Sequence, residues 1–185
     1  FKYNIRHRSF DGTDDYISLP LEVKYTFSST FSISFWWRPQ SVSATWRGIF
    51  EARNTSSSTT HQWLHIVYYN NQIWYSFSSS ALQTSGFNPV SNTWYHVVCN
   101  FDASVGKKIY INGVLNNSNS DTTVPILSTN NTGYVNIGKQ SNGRYGKMDL
   151  SDFRIYSKTL SSSEVSNIYN AGKYSFSNTY DVTTI

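Results

Sequence analysis

The residues best equipped to do chemistry here are aromatic. Trp46, His61, Trp63, Tyr68, Tyr69, Trp74 and Tyr75 fall in or near one hairpin region rich in Asn, Gln and Ser. A sugar ring stacks on an indole or phenol face when hydrogen-bonding groups stand beside it, so this mixture suits a glycan site. Six of these residues, Trp46, His61, Trp63, Tyr68, Trp74 and Tyr75, are the expected ligand-binding set. The competing reading is that alternate rings pack inward while the others cover a sheet. No catalytic constellation accompanies them. His61 and His65 share a strand with no Glu between them, which is not the metalloprotease pattern, and no Ser, His and Asp set has a nucleophile-elbow context. His96, inside Trp94-Tyr95-His96-Val97-Val98, reads as a hydrogen-bonded structural histidine.

Strands must position these rings. Phe31 to Arg38 alternates Phe31, Ile33, Phe35 and Trp37 against Ser32, Ser34, Trp36 and Arg38, the period of a half-buried strand; Trp36, on the outer side, needs its own cover. Gly48 to Arg53 is a further strand. Trp63–Tyr69 and Gln72–Phe77 pair through Asn70-Asn71, because Asn tolerates the left-handed backbone of a tight turn. Trp94 to Phe101 is a strand, and Lys107–Asn112 with Val114–Asn116 form a second hairpin about Asn112-Gly113. Tyr134 to Gly138 and Lys147 to Tyr156 complete the set. The one strong helical signal is Ser161 followed by Glu164, a capping box, with Val165, Ile168 and Tyr169 on one face and Gly172 as the expected C-terminal cap.

Composition agrees with this reading. Aromatics make up 17% and charged residues 14% of 185 residues, which is unlike a disordered chain and sufficient for one domain with a sizeable core. The net charge is +4, but its Lys and Arg are scattered, so a nucleic-acid groove is not expected. Cys99 is the single cysteine, which excludes an internal disulfide, and no run reaches the length of a membrane span. The chain begins at Phe1 without an initiator Met or a signal-peptide pattern, as expected of a domain excised or processed from something larger. Three sequons, at Asn54, Asn116 and Asn130, are weak pointers to a secretory route.

Four blocks, in order, carry a family likeness. They are Phe10-Asp11-Gly12-Thr13-Asp14-Asp15-Tyr16-Ile17, Phe31-Ser32-Ile33-Ser34-Phe35-Trp36-Trp37-Arg38-Pro39, Trp94 to Val98 leading to Ile109-Tyr110-Ile111-Asn112-Gly113, and Asp152-Phe153-Arg154-Ile155-Tyr156 followed by Leu160-Ser161 and Glu164-Val165. In these the chain resembles the laminin G-like branch of the concanavalin A-like lectin/glucanase superfamily. The resemblance implies an all-β fold, an antiparallel two-sheet jelly-roll sandwich with one short C-terminal helix, over residues 1–172. Residues 173–185 are then an edge strand or a linker arm. It also implies that the first and last blocks are neighbouring strands, which would bring Asp11, Asp14 and Asp15 near Asp149 and Asp152 as a calcium site of carboxylate and carbonyl oxygens. The alternative is that these acids make turns, bond nearby amides and pair with arginine.

Hydrolases on this fold carry closely spaced acids on one strand, and here Glu51 stands alone in its strand. The expectation is therefore a non-enzymatic recognition or adhesion module, binding a glycan or glycoprotein in an extracellular, cell-surface or virion-surface setting. Two alternatives stay open. One is a structural domain of a virion, fibre or surface layer whose aromatic tail docks on neighbouring subunits; the other is a glycoside hydrolase.

Overall fold

The computed structural model describes residues 7–54, 62–77, 80–127, 132–141 and 143–177. Within them the strands are β1 (Arg8–Asp11), β2 (Ile17–Leu19), β3 (Thr30–Pro39), β4 (Arg47–Arg53), β5 (Trp63–Tyr69), β6 (Gln72–Ser76), β7 (Leu82–Gln83), β8 (Tyr95–Asp102), β9 (Gly106–Ile111), β10 (Val114–Asn119), β11 (Tyr134–Ile137), β12 (Lys139–Gln140), β13 (Arg144–Tyr145) and β14 (Lys147–Tyr156). A 3-10 helix spans Leu21–Thr26, and helix α1 spans Ser162–Ser177. One six-stranded antiparallel sheet has the order β1-β14-β3-β8-β9-β10; the other has β2-β11-β4-β5-β6-β7; β12 and β13 form a separate small hairpin.

The expected jelly-roll sandwich is present, and its two turns were set locally. Asn70 and Asn71 have φ of 48° and 62°, and Asn112 and Gly113 have 50° and 83°, the left-handed pairs that close two-residue hairpins. β1 pairs with β14 in one sheet and β2 with β11 in the other, so residues 12–16 cross between layers.

Between the sheets the core is aromatic. Phe31, Ile33, Phe35 and Trp37 of β3 face Phe50, Leu64, Ile66, Tyr68 and Tyr75. Phe153 stacks on Phe35 and meets Phe50 across the layers, both at 5.6 Å, and Trp37 lies 5.2 Å from Tyr68. Cys99 is buried there, and burial pushes its thiol pKa up, so the thiol stays protonated.

The cover that Trp36 requires is α1. The capping box forms as expected: the Glu164 amide donates to Ser161 Oγ at 3.2 Å and the Ser161 amide to Glu164 Oε2 at 2.9 Å. Gly172 does not end the helix, which runs on to Ser177. A Cβ at Gly172 would lie 2.7 Å from Trp36 Nε1, so the glycine permits close approach instead of terminating the helix. Tyr169 and Phe176 stack on Trp36 at 5.7 and 4.5 Å. Residues 173–177 are thus helical, not an edge strand, and residues 178–185 lie outside the described set. Beneath the same cover, Ser34 Oγ meets His96 Nε2 at 2.9 Å and Asn100 donates to the Leu160 carbonyl at 2.7 Å, so the polar half of the β3 and β8 alternation is buried as well.

Candidate functional site

Among the described residues no α-helix covers the outer face of the second sheet. It has the β12–β13 hairpin, seated on β4 at Gly48. A Cβ on Gly48 would fall 2.4 Å from the Gln140 nitrogen and 2.6 Å from the Arg144 carbonyl, so the hairpin backbone lies directly on that strand. The Gly138 amide bonds the Ile49 carbonyl at 2.9 Å, and the Gly146 amide bonds the Gly138 carbonyl at 2.7 Å, closing its base.

This hairpin organises a polar network. Glu51, fully buried, accepts from Tyr134 Oη at 2.8 Å, the Ser141 amide at 2.7 Å, Ser141 Oγ at 3.2 Å and Arg53 Nη1 at 3.5 Å. Burial, then the charge of Glu51, raises the Tyr134 pKa, which keeps the phenol protonated as a donor. Gln140 Nε2 lies 3.1 Å from His65 Nδ1, and Arg144 Nη1 donates to Gln140 Oε1 at 3.1 Å. Burial first, then the charges of Arg144, Arg53 and Lys107, lower the His65 pKa to about 3, so this imidazole is neutral at ordinary pH.

Beside the network the aromatics gather. Trp46 stacks on Tyr69 at 4.1 Å with an interplanar angle of 4°, meets Trp74 edge-on at 5.4 Å, and lies under the Arg144 guanidinium at 4.9 Å. Trp46, Tyr69 and Arg144, with Thr45, Arg47 and Tyr145, border an open cleft of about 430 Å³, and Trp74 packs behind Trp46. On the other side of the hairpin, Tyr16, Ser18, Tyr134, Asn136, Lys139 and Ser141 line a second of about 410 Å³, with Lys139 Nζ 4.3 Å over the Tyr16 ring.

The expected ligand set divides by strand parity. Trp46, Trp63 and Trp74 are half-buried on or beside the outer face, Trp63 stacking on His65 at 4.5 Å. Tyr68 and Tyr75 are not surface residues: both are in the core, 1% and 0% exposed, because they share the parity of Leu64 and Ile66 and of Ile73 and Phe77. Tyr68 reaches out only with its hydroxyl, to Asn71 Oδ1 at 3.1 Å. His61 lies outside the described residues. The residues that sequence reasoning left out of the set are Tyr69, Arg47, Arg144, Tyr145 and Lys139. The last three arrive on a hairpin whose signal was Asn142-Gly143.

The acids also divide. Asp11, Asp14 and Asp15 bring ligand atoms within 4.8 Å of one another on the surface. Asp149 is separate and buried; burial opposes its ionisation, but hydrogen bonds from Ser9 and Arg38 win and hold its pKa below the usual carboxylate range. Asp152 sits at a β14 bulge with φ of 51° and accepts from Arg154 Nε at 2.6 Å. The five-acid cluster therefore reduces to three. Of their oxygens, Asp11 Oδ1 takes the Thr13 amide and Asp15 Oδ2 the Asp11 amide, while Lys147 stands opposite Asp11 and Arg47 reaches the Gly12 carbonyl. Calcium takes six to eight oxygens, so this loop alone is a sparse donor set.

A family model described as concanavalin A-like lectin/glucanases superfamily, of the laminin G type, matches residues 11–166. The chain belongs to this superfamily. Among solved structures, the receptor binding domain of botulinum neurotoxin C/D mosaic serotype is similar, with 17% identity and a TM-score of 0.68 over 90% of this chain and 42% of that one. Domain 4 of AbnA, an extracellular GH43 arabinanase from Geobacillus stearothermophilus, solved in complex with arabinotriose, shows 21% identity and a TM-score of 0.65 over 83% of this chain and 72% of that one. Trypanosoma rangeli sialidase shows 14% identity and a TM-score of 0.65, over 91% of this chain and 26% of that one. This chain thus spans less than half the length of the toxin chains it matches. At these identities the likeness is one of fold. A search of curated proteins finds no match. No helix among the described residues is long and apolar enough to cross a membrane.

Proposed function

We propose that this domain is a non-catalytic, lectin-like module that binds a glycan or glycoprotein on the hairpin-bearing face, as part of a larger secreted or surface protein. The observation that carries it is the Trp46 and Tyr69 stack, half-buried on the wall of an open cleft, backed by Trp74 and left without the helix that covers Trp36. Such rings expose apolar area beside donors, the arrangement a sugar ring fits. The similar arabinanase domain was solved with a bound oligosaccharide, which supports a saccharide as the ligand class.

A hydrolytic role finds little support on this face. Glycoside hydrolysis uses two carboxyl groups about 5 to 10 Å apart with freedom to exchange protons. Glu51 is buried and already engaged by Tyr134 and Arg53 within its sheet and by the amide and hydroxyl of Ser141 in the hairpin. The assembly reading loses part of its motive as well, since Phe176 packs on Trp36 and Trp94 of its own domain.

The test is a glycan array probed with the native chain and with Trp46→Ala. Binding by the native chain that Trp46→Ala abolishes supports the reading; binding that Trp46→Ala leaves intact, or no binding on arrays and cell surfaces alike, removes it. Calcium is proposed only as a brace for the Asp11–Asp15 loop, and a melting temperature unchanged by calcium chloride would eliminate it.

A further inference from the structure

We propose that the cleft beside Trp46 selects a saccharide bearing an anionic group, a carboxylate or a sulfate, with Arg144 and Arg47 as the groups that bind it. This rests on the glycan-binding reading above and names the chemical class of the glycan. The cleft is bordered by Thr45, Trp46, Arg47, Tyr69, Arg144 and Tyr145, two guanidinium groups and no carboxylate. Among the described residues the ion pairs are Glu51 with Arg53, Asp149 with Arg38 and with His7, Asp121 with Lys107, Asp152 with Arg154, and Glu164 with Lys158. Neither Arg47 nor Arg144 has an acid within ion-pairing distance in that set.

Each guanidinium is nonetheless held in place. Arg144 lies over Trp46 and donates to Gln140 Oε1, which leaves further N–H donors of its fork unassigned. Arg47 reaches the Gly12 carbonyl at 3.4 Å, so the acidic loop meets it through backbone and not through a carboxylate. Its Nε is buried with no hydrogen-bond partner among the described residues. A buried guanidinium N–H left unpaired is costly, and the outer N–H groups of such a fork pair strongly with an oxyanion, in parallel when it is a planar carboxylate. Glu51, the buried acid of this face, is already engaged by Arg53 and the hairpin, so it does not neutralise the cleft. The lowered pKa of His65, after its burial, reflects the same positive field, with Arg144 the largest charge contribution.

The test is titration calorimetry of the native chain with three oligosaccharides of matched length: one neutral, one containing glucuronate, one sulfated. At low salt the acidic sugars should bind at least tenfold more tightly than the neutral one, and 0.5 M sodium chloride should erase most of the difference. The carboxylate and sulfate arms identify which anion the cleft takes. Arg144→Gln and Arg47→Gln should each collapse the acidic-to-neutral ratio, and Arg144→Lys should restore part of it. Lys108→Gln, on the opposite sheet, should not change the ratio, which separates a site from bulk positive charge. Circular dichroism confirms folding of each variant. Equal or tighter binding of the neutral sugar overturns the proposal while leaving the glycan reading standing; no binding by any of the three overturns both. Tighter capture of a single-stranded oligonucleotide than of either acidic sugar also overturns it.

Discussion

The two outer faces of this sandwich carry similar aromatic surface and treat it differently. On the face of β3 and β8, Trp36 is 3% exposed because α1 lays Tyr169, Gly172 and Phe176 across it, and the polar side chains beneath are enclosed with it. On the face of β4, β5 and β6, a small hairpin covers Glu51 and His65 and reaches Trp46 only with the Arg144 side chain, leaving Trp46, Tyr69 and Trp74 half-buried. The sixteen-residue helix buries the Trp36 stripe, whereas the short ribbon covers only part of its sheet. Rings on the first face therefore stabilise, and rings on the second remain available.

The largest expected effect comes from stripping the covered face. Trp36→Ala should cost about 3–5 kcal/mol, as large-to-small changes in buried sites do. Chemical denaturation measures it, and saccharide binding by the folded fraction should be unchanged. Lowering the pH should weaken both faces together. His96, beneath α1, is held at a pKa of about 4, by burial first and Arg154 second, and His65, beneath the hairpin, at about 3. Both folded values are depressed below the unfolded 6.5, so from pH 6.5 downward the unfolded chain binds protons that the folded chain refuses. Stability then falls with pH, by at most about 1.4 kcal/mol per unit for each histidine, down to about pH 4 and pH 3 respectively. Denaturation curves at pH 7 and pH 4.5 should show the loss, and His96→Gln should halve its slope.

Gly48→Ala should act on the open face alone. The added methyl meets the hairpin backbone, costing about 1–3 kcal/mol as overpacking does, and displaces Arg144 from Trp46. Affinity should drop with stability, which distinguishes it from Trp36→Ala. Ser161→Ala should be the smallest change, roughly 1 kcal/mol from the lost cap, with binding untouched.

The sandwich was legible because its signals are local. The alternation of Phe31 to Arg38, the Asn70-Asn71 and Asn112-Gly113 turns and the Ser161 to Glu164 box each depend on neighbours in sequence. The candidate site was legible only in part. Residue type does not separate Tyr68 and Tyr75 from Tyr69 and Trp74; strand parity along β5 and β6 does, with Leu64, Ile66 and Ile73 fixing the inward side. Gly172 resembled a helix stop because its reason lies in another element: it makes room for a tryptophan more than 130 residues earlier. Arg47 and Arg144 come together only through the seating of one hairpin on one glycine, a tertiary fact that spacing does not announce.

The central claim is that recognition belongs to the hairpin-bearing face. The most direct measurement is a two-dimensional NMR titration of the tryptophan indole N–H signals with a bound oligosaccharide. The account predicts that the Trp46 and Trp74 signals shift while that of Trp36 stays in place. Shifts at Trp36 with none at Trp46 or Trp74 would contradict it.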